Sequence, residues 1–121
     1  MEIHTRAVGD VHVLDMRGKI TLGEATANVR HTVNDLLENG GKKVILNLTD
    51  VNYVDSSGIG ELVRTYTTVT KAGGELKLLN LTNKIRELLV ITKLLTVFQV
   101  YENEQAAVAS FAQRPVTDGL V

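Results

Sequence analysis

The feature that most constrains the fold is the alternation of short β-rich runs with segments of helical periodicity. Two β-rich runs open the chain, and four helical segments then alternate with three short apolar runs. The predicted order of elements is β-β-α-β-α-β-α-β-α. Strands that alternate with helices of about 10–15 residues are typical of α/β proteins with a largely parallel sheet. We therefore predict an α/β fold, with a mixed and mostly parallel sheet of four to five strands packed with about four helices.

The opening pair of β-rich runs predicts a hairpin. Residues 3–8 and 11–16 flank Gly9-Asp10, a two-residue connection that is typical of tight turns between antiparallel strands. This turn would pair Val8 with Val11 and, further out, Ile3 with Met16. One face of the hairpin then carries Ile3, Ala7, Leu14 and Met16, and the other carries His4, Arg6 and Asp15 among valines. We expect the first face to pack on the core.

The later elements are bounded by glycine pairs and by changes of periodicity. The predicted helices are 24–39, 57–72, 83–92 and 104–111, and the predicted strands are 44–48, 75–80 and 97–101. Gly40-Gly41 and Gly73-Gly74 end the first two helices, as glycine commonly does. Residues 49–55 are predicted to cross over from strand to helix. We expect one domain over residues 1–113 and a flexible tail over residues 114–121.

Composition and charge exclude several classes of protein. The chain has 121 residues, the usual length of one domain, and its formal net charge of −1 lacks the basic excess of a nucleic-acid binder. It has no cysteine, which excludes disulfides, thiolate metal sites and thiol catalysis. The apolar runs are too short to span a bilayer, and no secretory signal is recognisable. We therefore expect a cytoplasmic domain with no membrane span and no direct contact with nucleic acid.

The segment that carries most functional information is Asp55-Ser56-Ser57-Gly58-Ile59-Gly60. It lies where the chain enters the second helix, at the edge of an open α/β sheet where ligands tend to bind. Asp and Ser are preferred helix caps because their oxygens accept hydrogen bonds from unpaired N–H groups. Capping does not explain two glycines in the first turn, since each costs about 0.5–1 kcal/mol relative to alanine. Either another molecule approaches this backbone closely, or the helix lies tight against the sheet.

The spacing within this segment does not match common catalytic motifs. A nucleophile elbow requires glycine two positions before the serine, and for Ser57 that position is Asp55. A dinucleotide-binding loop requires a third glycine where Val63 stands, and no Gly-Lys-Ser/Thr phosphate loop exists. The three histidines are predicted to be separate surface or sheet-edge residues rather than ligands. We therefore predict no enzymatic activity, no bound metal and no cofactor.

At these residues the chain resembles the STAS domain family, whose best-known free-standing members are the anti-sigma factor antagonists of bacteria. The resemblance rests on residues 55–60 with the strand before them, on Lys71-Ala72-Gly73-Gly74-Glu75-Leu76, which looks like the hinge of the family, and on residues 84–95. It extends over roughly residues 3–112 and implies the STAS fold.

The resemblance also implies a switch controlled by phosphorylation. In such antagonists the second serine of the pair is phosphorylated, and that serine is Ser57 in this sequence. The partner is an anti-sigma factor that is also a serine kinase; the unmodified antagonist binds it and frees the sigma factor, and a PP2C-type phosphatase resets the cycle. Ser56 is expected to cap or space the turn. The interface with this partner is implied to include Asp55, Ser56, Gly58, Ile59 and Gly60.

One position departs from the pattern of the family. Many antagonists carry Asp in a Gly-x-Leu/Ile-Asp pattern close to the phosphorylated serine, and the matching stretch here is Gly18-Lys19-Ile20-Thr21. Thr21 is therefore expected at the same interface, either as a plain loop residue or as a second modifiable hydroxyl.

Two other functions stay open at the level of sequence. The chain resembles STAS subunits that form the scaffold of a stressosome-like signalling assembly, and STAS modules that serve a transporter as a separate chain. Size would distinguish the first of these, because a scaffold forms a megadalton particle. A monomer or a weak homodimer is expected for an antagonist.

Overall fold

The computed structural model describes residues 1–112, so the expected tail over residues 114–121 lies outside the described residues. The strands are β1 (Glu2–Val8), β2 (Val11–Ile20), β3 (Lys43–Val54), β4 (Glu75–Leu79) and β5 (Gln99–Tyr101). The helices are α1 (Glu24–Glu38), α2 (Ser56–Lys71), α3 (Asn83–Ile91) and α4 (Glu104–Ala112), and a 3-10 turn (Leu95–Val97) precedes β5. The element order matches the order predicted from the sequence.

The five strands form one mixed sheet in the order β1-β2-β3-β4-β5. β1 and β2 are antiparallel, and every other neighbouring pair is parallel. The hairpin register places Val8 opposite Val11 and Ile3 opposite Met16, as predicted. Gly9 has a φ of +63°, in the left-handed region that glycine adopts without strain, which allows the tight turn. The predicted α/β fold with a mostly parallel sheet is confirmed.

β3 is longer than predicted. The sequence indicated a crossover at residues 49–55, whereas β3 continues over Lys43–Val54. Within the described residues its second half pairs with β2 alone, and the pairing ends where Ile20 lies beside Val54. Val51 and Val54 are buried, but polar residues separate them. The crossover prediction was wrong because a strand exposed on one face does not show as an apolar run.

Helices cover both faces of the sheet. The larger core lies under α1, α2 and α3 and contains Leu14 and Met16 of the hairpin, as predicted. A second core lies under α4, and its buried residues are Val11, Val13, Ile45, Leu79, Ala107 and Phe111. The valine face of the hairpin is therefore also buried, which the sequence analysis did not expect. Ala7 was expected to be buried and is exposed, because it lies beside the hairpin turn at the end of edge strand β1.

The apolar stripe predicted for α2 is the side that faces the core. Ile59, Leu62 and Val69 are buried, and Val63 and Tyr66 are partly buried against the same cluster. This stripe determines the rotation of α2 about its axis. The rotation in turn decides which residues of the first turn face the sheet and which face solvent.

Two polar anchors hold α4 on the sheet. The Arg6 guanidinium on β1 donates hydrogen bonds to Asp15 on β2 and to Glu104 at the start of α4. These hydrogen bonds hold the pKa of both carboxyl groups below the ordinary range. At the other end of α4, the buried Lys77 donates a hydrogen bond of 2.6 Å to the Ser110 hydroxyl, and its ammonium group lies 4.4 Å from the centre of the Phe111 ring.

Candidate functional site

The start of α2 is capped by an aspartate. Asp55 has an extended backbone conformation, and its side chain accepts a hydrogen bond of 2.8 Å from the backbone N–H of Gly58. Ser56 was expected to cap or space this turn; it is the first residue of the helix and is not the capping residue. A carboxylate suits this position because it accepts the hydrogen bond and also interacts favourably with the helix macrodipole.

The two serines occupy the first two positions of α2. Ser56 is exposed and Ser57 is half-buried. The first N–H groups of a helix have no partner within it, and Asp55 satisfies that of Gly58. The N–H groups at the serines are therefore available to an anion, at the end of the helix with a partial positive charge.

The two glycines of this turn have different structural roles. A Cβ on Gly58 would overlap the carbonyl oxygen of Ile20 at the end of β2, so this position requires close contact between helix and sheet. A Cβ on Gly60 would meet no atom within 4 Å. The sequence analysis proposed tight packing or the approach of another molecule as alternatives. Gly58 is explained by tight packing, whereas the structure of the chain itself does not require glycine at position 60.

This difference leads to opposite effects of alanine on stability. Gly60→Ala should raise the free energy of unfolding by about 0.5–1 kcal/mol, because alanine is the better helix former and the site is open. Gly58→Ala should lower it by about 1–3 kcal/mol, because α2 must move away from β2. Urea unfolding of both variants would measure the effects. Equal effects of the two substitutions would contradict the roles assigned to these glycines.

Thr21 lies at the same edge of the sheet as the serines. Ile20, the last residue of β2, pairs with Val54, the last residue of β3. Thr21 directly follows Ile20, and Asp55 directly follows Val54. The backbone N–H of Asp55 also donates to the Ile20 carbonyl at 3.4 Å. The parallel pairing of β2 and β3 therefore places the Thr21 loop next to the first turn of α2.

An ion pair between an exposed arginine and a buried glutamate joins α2 to α1, one turn along α2 from Ser57. Glu61 is four residues after Ser57, and its side chain is 4% exposed. Its carboxylate accepts a hydrogen bond of 2.9 Å from Arg30 on α1, and Arg64 lies 3.9 Å from the same oxygen. Sequence reasoning missed this pair, because neither residue belongs to the apolar stripe of its helix. The pair fixes α1 against the helix that carries the serines.

Comparison with known proteins identifies the family. The sequence model of the STAS domain matches residues 2–107. The anti-sigma-B factor antagonist of Bacillus subtilis is 34% identical over 99 residues, which are 82% of this chain and 88% of that protein. The chain is a STAS domain protein of the anti-sigma factor antagonist family. The resemblance noted from the sequence is thereby confirmed.

Solved structures show that this STAS protein has the expected fold. The unphosphorylated form of the anti-sigma factor antagonist SpoIIAA superposes with a TM-score of 0.78 at 18% identity, over 94% of this chain and 99% of that one. The phosphorylated form of SpoIIAA, the cell fate determinant of Bacillus, superposes with a TM-score of 0.72 at 19% identity, over 91% and 99% of the two chains. At these identities the similarity concerns the fold alone.

Two exposed apolar residues lie at the same edge of the sheet as the serines of this STAS protein, and sequence reasoning missed both. Leu22 is 77% exposed in the loop after Thr21, and Tyr53 is 46% exposed near the end of β3. A signal for Leu22 was present, because a leucine beside a glycine in a short polar loop has little reason to be there for folding. Tyr53 was missed because residues 49–55 were predicted to be a crossover rather than part of a strand. Together they add apolar contact area to an otherwise small and polar edge.

None of the helices within residues 1–112 combines the length and the apolar character that crossing a membrane requires.

The same residues contain no cluster of three or more histidine and acidic side chains placed to hold a metal ion. His4 and His12 are at register positions opposite Asp15 and Ala7, and therefore on opposite faces of the hairpin.

Proposed function

We propose that this STAS protein is an anti-sigma factor antagonist of the bacterial cytoplasm, and that phosphorylation of Ser57 controls its binding. The unphosphorylated form binds an anti-sigma factor that is also a serine kinase, and so releases the sigma factor. A PP2C-type phosphatase restores the unmodified form. The protein acts by binding and is not an enzyme.

The observation that carries this proposal is the position of Ser57 at the capped start of α2, on an edge of the sheet that exposes apolar side chains. We name this edge the docking edge; it consists of Thr21, Leu22, Tyr53, Asp55, Ser56, Ser57 and Gly60. On this edge, a hydroxyl group that a kinase can modify lies beside exposed apolar side chains of the kind that protein partners contact. The family membership supplies the class of partner.

The physical chemistry of this edge suits a switch. A phosphate on Ser57 adds a charge of about −1.5 to −2 and three acceptor oxygens. The free N–H groups of the first turn stabilise that charge, so the modified chain should stay folded. A partner that covers the docking edge would instead have to bury the charge next to the carboxylate of Asp55. Phosphorylation therefore disfavours the complex far more than it disfavours the fold.

The open backbone at Gly60 supports access by a kinase. Gly60 lies three residues after Ser57, so the two positions share a face of α2. A side chain at position 60 would narrow the approach to the Ser57 hydroxyl. Gly58 and Ile59 are buried, so they hold the first turn of α2 against the sheet rather than contacting a partner.

The phosphoacceptor can be mapped directly. Incubation with the cognate kinase and ATP, followed by mass spectrometry, should place the phosphate on Ser57. Ser57→Ala should remove the modification and leave binding to the kinase within about twofold, while Ser56→Ala, the matched control, should still be phosphorylated. Phosphate on Ser56 or Thr21 with Ser57 unmodified would refute the assignment.

A further inference from the structure

An exposed apolar patch lies at the C-terminal end of α3. Ile91 is 74% exposed, Val90 55% and Val97 36%, and these are three of the five large apolar residues exposed within the described part of the chain. Beside them is a shallow cavity of about 320 Å³ lined by Val90, Lys93, Leu95 and Thr96. Adjacent exposed apolar residues of this kind are typical of interaction surfaces.

The patch is separate from the docking edge. α2 and α3 both begin beyond the carboxyl ends of parallel strands, which is where Ser57 lies. α3 then runs back along the sheet, and its end leads through the 3-10 turn to the start of β5. The end of α3 is therefore at the opposite edge of the sheet, and a partner bound there leaves Ser57 accessible.

Exposed charges of opposite sign flank the patch. Glu87 lies three residues before Val90, so the two share a face of α3. Lys93 lies in the loop just after α3, with a φ of +62°, and lines the cavity beside Val90. Both charged residues are exposed, and neither side chain forms an ion pair within residues 1–112.

This arrangement is complementary to itself. In a contact with twofold symmetry, residue i of one copy meets residue j of the other, and j meets i. When the C-terminal ends of α3 of two copies meet with Val90 near the twofold axis, Glu87 of each copy can face Lys93 in the loop after α3 of the other. Val90 and Ile91 of both copies are then covered at the centre, with the two ion pairs at the rim.

We propose that this surface, the α3 patch of Glu87, Val90, Ile91 and Lys93, binds a second copy of the chain in a contact with twofold symmetry. The contact is small, so the association is weak and depends on protein concentration. The resulting dimer presents two docking edges, both free to bind partners. This inference is independent of the proposed function and can fail without it.

Charge reversal tests both the surface and its symmetry. Analytical ultracentrifugation from about 1 μM to about 1 mM protein should show a monomer–dimer equilibrium for the unmodified chain. Glu87→Lys places two lysines opposite each other and Lys93→Glu places two glutamates opposite each other, so each variant should self-associate at least about tenfold more weakly. An equal mixture of the two variants restores both opposite-charge pairs and should form dimers again, as should the double variant.

The matched control is Glu38→Lys, which makes the same change of charge at an exposed position of α1. It should self-associate like the unmodified chain, and circular dichroism should show every variant folded. A chain that stays monomeric at all concentrations would overturn the proposal and leave the patch to a different partner. Self-association that survives either single reversal, or a mixture that fails to restore it, would overturn it as well.

Discussion

Replacing Ser57 by aspartate should weaken binding to the anti-sigma factor at least about tenfold while the thermal midpoint of unfolding hardly changes. A carboxylate near a helix N-terminus is favoured by about 0.3–1 kcal/mol, so the fold should tolerate it or gain slightly. A partner on the docking edge would have to bury this charge next to Asp55. An unpaired buried charge costs several kcal/mol, and each ~1.4 kcal/mol corresponds to about tenfold in affinity. Titration calorimetry with the purified partner would measure the loss.

The control for charge is Ser57→Asn, which has nearly the same shape as the aspartate and no charge. It should bind within a few-fold of the unmodified chain, and the difference between the two variants should persist as salt increases, because salt screens a buried charge much less than an exposed one. Equal binding by the aspartate and asparagine variants would show that charge does not operate the switch. A phosphate on Ser57 would then have to block binding of the partner sterically.

The largest effect on stability is expected from Leu62→Ala. Leu62 is 1% exposed and lies in the main core between α2 and the sheet. Removing a fully buried leucine side chain costs about 2–5 kcal/mol through lost burial and the cavity that remains. Since small domains are stable by about 5–15 kcal/mol, this change would remove a large share of the stability. Guanidinium unfolding would measure it.

Leu22→Ala makes the same chemical change on the docking edge and serves as the matched control. Leu22 is 77% exposed, so its truncation should change the free energy of unfolding by no more than about 0.5 kcal/mol. It should instead weaken binding to the partner, because it removes apolar contact area. A loss of stability similar to that of Leu62→Ala would contradict the orientation of α2 or the exposure of Leu22.

Local patterns determined most of the elements and singled out the segment at residues 55–60. The Gly9-Asp10 turn specified the hairpin register, because a two-residue connection allows only one pairing of the flanking strands. The apolar stripe of α2 specified which side of that helix faces the sheet. The string at residues 55–60 was recognisable because two glycines in the first turn of a helix are costly without a reason.

What the sequence left open was decided by contacts between residues far apart along the chain. Asp55 rather than Ser56 caps α2, because β3 extends to Val54 and leaves Asp55 as the residue between the strand and the helix. The roles of Gly58 and Gly60 differ because the carbonyl of Ile20 lies against one and nothing lies against the other.

Tertiary structure also decided the surfaces that partners would meet. Leu22 and Tyr53 lie at the same edge of the sheet as Ser57 only because β2 and β3 end side by side. The valine face of the hairpin is buried only because α4, which begins almost a hundred residues later, folds onto it. The spacing of apolar residues along the chain indicates whether a segment is a helix or a strand. It does not indicate which other element covers each face of the sheet. Burial and exposure of that face are therefore properties of the assembled sheet and helices.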